Sequence, residues 1–278
     1  MFGAAYRTPM APVSTPALDG AASATGQWFA TVLTGIVALA VVVVVVRMCW
    51  TRRIGWPLLA LVSGAITCLL EPLYDHLYGL WFFSRGEWIL FSSYGVHLPV
   101  WLPAIYAAYY GGGTVFTTRF LQRGATSRDV LRLYLVLVAL AVVAEELYIN
   151  AFSTYAYQGH QVFAVAGYPV WVAFVNSLPP VLAGIAFYRL LPLLRGWERA
   201  GLVAVVPVCF AAGAFGAGFL YLALRHSDLD VPDLVLSVAA LVTVAIGIGM
   251  VDVAARLATG TPRPSSDDAA MPVDVPTP

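Results

Sequence analysis

Lysine is absent from this 278-residue chain, and charge of any kind is scarce. All 15 basic residues are arginine, they are balanced by 15 acids, and charged residues make up only 11% of the sequence. Soluble domains carry roughly a quarter. With a net charge of zero there is no basic surface to track a phosphate backbone, which sets nucleic acid aside as a partner. The three cysteines, Cys49, Cys68 and Cys209, stand singly with no CxxC spacing, so neither a disulfide framework nor a thiol metal site is expected. They read as core filler. Four histidines, His76, His97, His160 and His226, are scattered without ligand spacing. A GxSxG elbow, an HExxH helix and an Asp-rich DDxxD run are all missing, which argues against serine hydrolases, zinc proteases and magnesium-dependent diphosphate chemistry. No phosphate-binding glycine loop is found either, since the GGG at 111–113 lies in an apolar helix and suits close helix packing. No metal and no organic cofactor is expected.

What the chain has instead is apolar length. It is 60% hydrophobic, and runs able to cross about 30 Å of hydrocarbon fall near 28–47, 55–75, 98–117, 131–151, 169–191, 201–223 and 233–256. The expectation is an all-α integral membrane protein, a seven-helix transmembrane bundle occupying 28–258. It is flanked by a disordered N-terminal tail, 1–27, and a disordered C-terminal tail, 259–278, both rich in small residues and proline. Residues 1–27 lack the basic start and apolar middle of a signal peptide. Arginines at 47, 52, 53, 119, 123, 128, 132, 189, 195, 199, 256 and 263 fall on one side, against 7, 85 and 225 on the other. The positive-inside rule then puts the N-terminus outside the cell membrane and the C-terminus in the cytoplasm. Residues 76–97 and 152–168 become outer loops. Their aromatics, among them Trp81, Phe82, Phe83, Trp88, Tyr155 and Tyr157, suggest that they fold back over the bundle or lie at the interface.

An internal echo organises the middle of the chain. EPLYDH at 71–76 is followed by LPVW at 98–101, and EELYIN at 145–150 by YPVW at 168–171. A weaker third copy pairs GFLYLA at 218–223 with VPDL at 231–234, with Gly218 where the others have glutamate. A two-helix unit makes an even number of crossings, so successive copies point the same way: one leading helix plus two or three parallel helical-hairpin repeats.

The echo superposes Glu71 on Glu145 and lets two carboxylic acids face one cavity. Acids within membrane helices are costly and usually face a cavity or a partner. Glu71 and Asp75 are four apart, as are Glu146 and Asn150, a spacing that puts each pair on one helix face. Burial and a second carboxylate both favour the protonated form of a carboxylic acid, and a neutral acid in an apolar pocket is a proton donor. An ionised partner and aromatic faces can stabilise a developing cation. This equipment can protonate an alkene, epoxide, enol ether or ketal oxygen and start ring closure. Glu71 is the first candidate for the donor, with Glu145, or Glu146 if the alignment slips by one, as its partner. Asp75 would tune Glu71 and Asn150 would orient the partner or the substrate. Trp81, Phe82, Trp101, Tyr148 and Trp171 are candidates for the cavity wall, although core packing explains each almost as well. The acids could instead pair with Arg85, His76 or His160, and Asp252 is expected to meet Arg256.

The Glu71–Pro72 step, the aromatic run, SRGEW at 84–88, SSYG at 92–95 and the PVW that follows resemble the AveC-type membrane spirocyclases, which close spiroketal rings in polyketides. The likeness spans roughly residues 60–190; it differs in having Glu71 where that family's pattern has aspartate, and in the spacing before Arg85–Gly86. More loosely, AEELYINAF at 144–152 is similar to the heterodimer-type lycopene cyclases, and the seven-helix plan with membrane acids to the membrane-bound meroterpenoid cyclases. All three imply acid-initiated cyclisation. The expected partners are a lipophilic small-molecule substrate and the lipid bilayer. The second hypothesis is a proton-coupled transporter or lipid-binding membrane protein using the same acids as a relay.

Overall fold

The computed structural model describes residues 20–260 and is mostly helical. The first helix, α1 (Ala24–Arg52), starts four residues before the expected edge at 28, because Ser23 accepts a hydrogen bond from the Gly26 amide at 2.8 Å and caps it. Just before it, Ala22 donates its amide to Arg85 O at 2.8 Å, so residues 20–27 are fastened to the loop after Tyr78 instead of belonging to a free tail. The rest of both expected tails lies outside the described residues. Only a few α1 side chains, such as Ala30, Thr34 and Val45, are buried, while Leu39, Val43 and Val44 are bare. A 29-residue apolar helix with that much uncovered surface belongs in lipid.

The helix from Trp56 to Tyr78 contains α2 (Trp56–Thr67), a 3₁₀ turn and α3 (Glu71–Tyr78). After a loop come α4 (Leu102–Tyr106), a π-helical segment Ala107–Gly112 and α5 (Gly113–Gln122). Next is α6 (Ser127–Glu146), opened by a Thr126–Asp129 capping box and closed by a π segment, Leu147–Ala151. A second loop leads to α7 (Val172–Asn176) and α8 (Leu178–Leu190), then α9 (Val205–Ala211), α10 (Phe219–Arg225) and α11 (Asp233–Thr259). Among the described residues, five helices are long and apolar enough to cross a membrane: Ala24–Arg52, Trp56–Tyr78, Val172–Leu190, Gly196–Ala217 and Asp233–Thr259. The expected spans at 98–117 and 131–151 also fall on helix, but these stretches carry more polar residues. The first has Tyr, Gly and Thr through its middle; the second has Arg128, Asp129 and Arg132 at one end and Glu145 and Glu146 at the other.

The expectation of an all-α chain needs correcting in the loops, which contain three two-stranded antiparallel sheets. Strand β1 (Leu80–Phe82) pairs with β4 (Tyr155–Tyr157), Leu80 opposite Tyr157 and Phe82 opposite Tyr155, and so joins the two long loops to each other. Each loop also contains its own hairpin, β2 (Ile89–Ser93) with β3 (Val96–Pro99) and β5 (Ala164–Val165) with β6 (Tyr168–Pro169). Both hairpins turn on two residues with positive φ, Tyr94–Gly95 and Ala166–Gly167. That is the left-handed pair a tight two-residue hairpin needs, and glycine at its second position meets the need without steric cost. Arg225 fastens the α10–α11 turn to the same cap by donating to His160 O at 2.8 Å and Gln158 O at 3.0 Å.

Small residues let the helices below this cap approach closely. A Cβ added at Gly64 would lie 2.5 Å from the Gly111 amide nitrogen, and one at Gly184 would lie 2.4 Å from the Thr117 Cβ. These contacts lock α2 against the π segment and α5 against α8, and the glycine run at 111–113 serves packing.

Candidate functional site

Glu71 opens α3 with Pro72 directly behind it, where a missing amide hydrogen costs least. Its side chain points into the bundle and is only 6% exposed. Glu145 lies one residue before the end of α6, just ahead of the π segment. The two acids border one cavity of about 120 Å³ under the loop cap. Its wall is otherwise mainly aromatic: Tyr74, Phe82, Trp101, Tyr106, Tyr109, Tyr110, Tyr148 and Tyr155. A volume of that order suits a body about the size of a benzene ring.

The hydrogen bonds separate the two acids. Tyr106 donates its hydroxyl to Glu71 Oε2, and the Asp75 carboxyl lies beside Glu71. Glu145 is engaged on both sides: Tyr155 donates to Oε2 at 2.7 Å and the Asn176 amide to Oε1 at 3.1 Å. Asn176 also accepts the Tyr74 hydroxyl at 2.8 Å, so Tyr74, on the helix of Glu71, connects through Asn176 to Glu145. Asp75 is fully buried behind Glu71, and neither of its oxygens has a hydrogen-bond partner. Two further bonds brace the wall. Tyr148 and Thr34 share a short hydrogen bond that ties α1 to the second π segment, and Tyr109 meets Ser177 Oγ at 3.0 Å.

Among the residues singled out in the sequence, Glu71, Glu145, Phe82, Trp101 and Tyr148 meet at the cavity. The others lie elsewhere. Glu146 accepts from Asn150 at 2.6 Å on the surface, and Asn150 reaches on to Ala166 O at 3.1 Å, so this pair fastens a hairpin turn and stays outside the cavity. A step of one residue on α6 turns the side chain by about 100°, which separates Glu146 from its neighbour. Trp81 packs edge-on to His76 with ring centres 6.1 Å apart, and Trp171 is wedged between Tyr78 and Tyr221 at 5.9 and 4.4 Å. Neither tryptophan borders the cavity. Asp252 meets Arg256 at 2.9 Å, and His160 pairs with Asp233 at 3.3 Å; among the described residues neither cavity acid forms an ion pair. Among the described residues no three His, Cys, Asp or Glu side chains gather as a metal site would require.

Tyr106 and Asn176, the polar partners of the two acids, escaped the sequence reading. Each stands five residues after the tryptophan of a PVW triplet, Trp101 and Trp171, and that common offset was the available signal. A helical membrane protein with two carboxylic acids at one aromatic cavity beneath a strand cap is the class these features define. No protein-family model, curated protein or solved structure matches the chain.

Proposed function

We propose that this protein is a membrane cyclase that starts ring closure of a lipophilic natural product, a polyketide or an isoprenoid, by protonation from an intramembrane carboxylic acid. The carrying observation is the approach of Glu71 and Glu145 to one aromatic cavity from separate helices. Glu71 delivers the proton to an alkene carbon or an epoxide, enol ether or ketal oxygen. The cation that develops lies among tyrosine and tryptophan faces. Glu145 accepts from two donors, the pattern that suits an acceptor-only carboxylate, and it takes up the proton released when the ring closes. The step is an isomerisation, or the loss of one water, and consumes no co-reactant. The resemblance of residues 60–190 to the AveC-type spirocyclases points the same way.

The architecture that goes with this reading is a seven-helix bundle in which Leu102–Gln122 and Ser127–Ala151 also cross the membrane, built from a leading helix and parallel hairpins. Its support is the recurrence of one order: acid, loop strand, two-residue hairpin, PVW, short helix, and a polar residue five positions on that bonds the acid of its own unit. The third copy carries Gly218 against the Tyr78 hydroxyl and adds no acid. The arginine bias puts the strand cap outside and α11 ending in the cytoplasm.

High-resolution mass spectrometry of host extracts tests the function by comparing wild type with a Glu71→Gln/Glu145→Gln double variant at matched protein levels. Loss of one lipophilic metabolite, with gain of an isomer or of a species differing by one water, is the expected result. An unchanged total profile with a shifted distribution between cells and medium would overturn it in favour of transport.

A further inference from the structure

Six tyrosines border the cavity, and five have committed their hydroxyls. Tyr74 donates to Asn176, Tyr106 to Glu71 and Tyr155 to Glu145, Tyr109 is bonded to Ser177, and Tyr148 to Thr34. Tyr110 is the exception: among the described residues its hydroxyl has no hydrogen-bond partner. It also differs from the hydroxyls of Tyr157 and Tyr168, which are sealed in the core without partners. The Tyr110 side chain is only 5% exposed and lines the cavity. Phe210 and Tyr106 hold the ring edge-on at 5.6 and 4.6 Å, and Tyr106 is the residue that bonds Glu71. The backbone explains the orientation. Tyr110 lies in the π segment Ala107–Gly112, where one extra residue per turn lets both Tyr109 and Tyr110 face the cavity; such segments recur at functional sites.

We propose that the Tyr110 hydroxyl binds an oxygen atom at the reacting end of the substrate, in the cavity that Glu71 also borders. Tyr110 is then the specificity-determining residue, and the substrate carries a carbonyl, ether or hydroxyl oxygen there instead of a bare alkene. A purely hydrocarbon end would leave a half-enclosed hydroxyl without a partner, and a site that hydrogen-bonds a ligand oxygen discriminates strongly against the analogue lacking it. The inference rests on the cyclase reading only for the word substrate. What it predicts is ligand binding, which needs no turnover.

The test uses the purified full chain in lipid nanodiscs and two probes of matched shape that suit the cavity, cyclohexanone and methylenecyclohexane. Binding is followed by saturation-transfer NMR with empty nanodiscs subtracted. The wild type should bind the ketone at least roughly tenfold more tightly than the alkene. Tyr110→Phe should lower that ratio several-fold, Glu71 remaining as the other donor, while leaving the alkene affinity unchanged. Tyr157→Phe, which removes a sealed hydroxyl away from the cavity, should keep the wild-type ratio, as a merely structural contribution from tyrosine hydroxyls would not. A wild-type ratio of one overturns the proposal, and so does a tenfold ratio that survives in Tyr110→Phe. Should Tyr110→Phe fail to fold, Tyr110→His, which keeps a ring donor, must retain the preference for the ketone and Tyr110→Leu must lower it several-fold. Each outcome is independent of the metabolite experiment, so one reading can fail while the other stands.

Discussion

Glu71 and Glu145 each stand on a helix that leads into one of the two long loops, and both border one cavity, yet their surroundings differ. Glu71 receives a hydrogen bond from Tyr106 and has a second buried carboxyl beside it in Asp75. Glu145 receives two, from Tyr155 and Asn176, and its side chain is only partly buried. A protein needing two acids merely to hold helices together would have little reason to treat them unequally. Under the proposed function, the different surroundings are what would give the two carboxyls the separate tasks of donor and acceptor.

The largest effect expected from breaking this asymmetry is at Glu71. Glu71→Gln keeps the shape and removes the transferable proton, so product formation should fall about 10²- to 10⁴-fold, the usual contribution of a general acid. Glu145→Gln should cost less, on the order of 10- to 100-fold, because the amide oxygen still accepts one of the two donors and keeps a dipole toward the cation. Quantifying product per unit of protein for both single variants checks the order. Equal losses, or a larger loss at Glu145, would show that the two acids are not divided as described.

A smaller effect separates their partners. Asn176→Leu deprives Glu145 of a donor and the buried Tyr74 hydroxyl of its acceptor, whereas Tyr106→Phe affects Glu71 alone. The first should therefore destabilise the fold by about 1–3 kcal/mol, and by more than the second. Unfolding in a mixed-detergent titration measures both. If Tyr106→Phe proves the more damaging, the chain from Tyr74 through Asn176 to Glu145 is not a working connection.

The two acids were legible in the sequence because charge inside an apolar run stands out and because EPLY and EELY repeat at a fixed distance. Tyr106 and Asn176 were harder to see. A tyrosine or asparagine in a membrane helix has several ordinary uses, and only the fold brings each beside a carboxyl 31 or 35 residues away. Spacing alone misled at Glu146 and Asn150, where the i, i+4 relation is real and the pair bonds as expected, but on the outer face of the helix. The strands were missed because segments of two to five residues give no readable alternation, and their aromatics look like an interfacial belt. Helical membrane character, by contrast, follows from composition, since lipid demands that every backbone polar group be satisfied within the segment.

The smallest expected effect lies in the loops, which repeat the contrast away from the cavity. In the second loop Gln161 is satisfied, donating to Tyr78 O at 3.0 Å and Gln158 O at 2.9 Å. In the first, Glu87 is only 8% exposed and both its oxygens lack partners, and burial pushes its carboxyl up to about 8. A folded carboxyl above its unfolded value of 4.5 binds its proton more tightly in the folded cap than in the opened one. Its contribution is therefore most favourable below pH 4.5 and declines as pH rises toward 8, by at most about 1.4 kcal/mol per pH unit. Hydrogen exchange of the β2–β3 amides, corrected for intrinsic rates, should show the first hairpin opening more readily at pH 8 than at pH 5, and Glu87→Gln should remove that part of the change. The difference between wild type and variant carries the result. The β5–β6 hairpin, with no buried unpartnered acid, should respond alike in both proteins. A Glu87→Gln cap as pH-sensitive as the wild type would show that the carboxyl is already satisfied, and that the two loops differ in sequence but not in energetics.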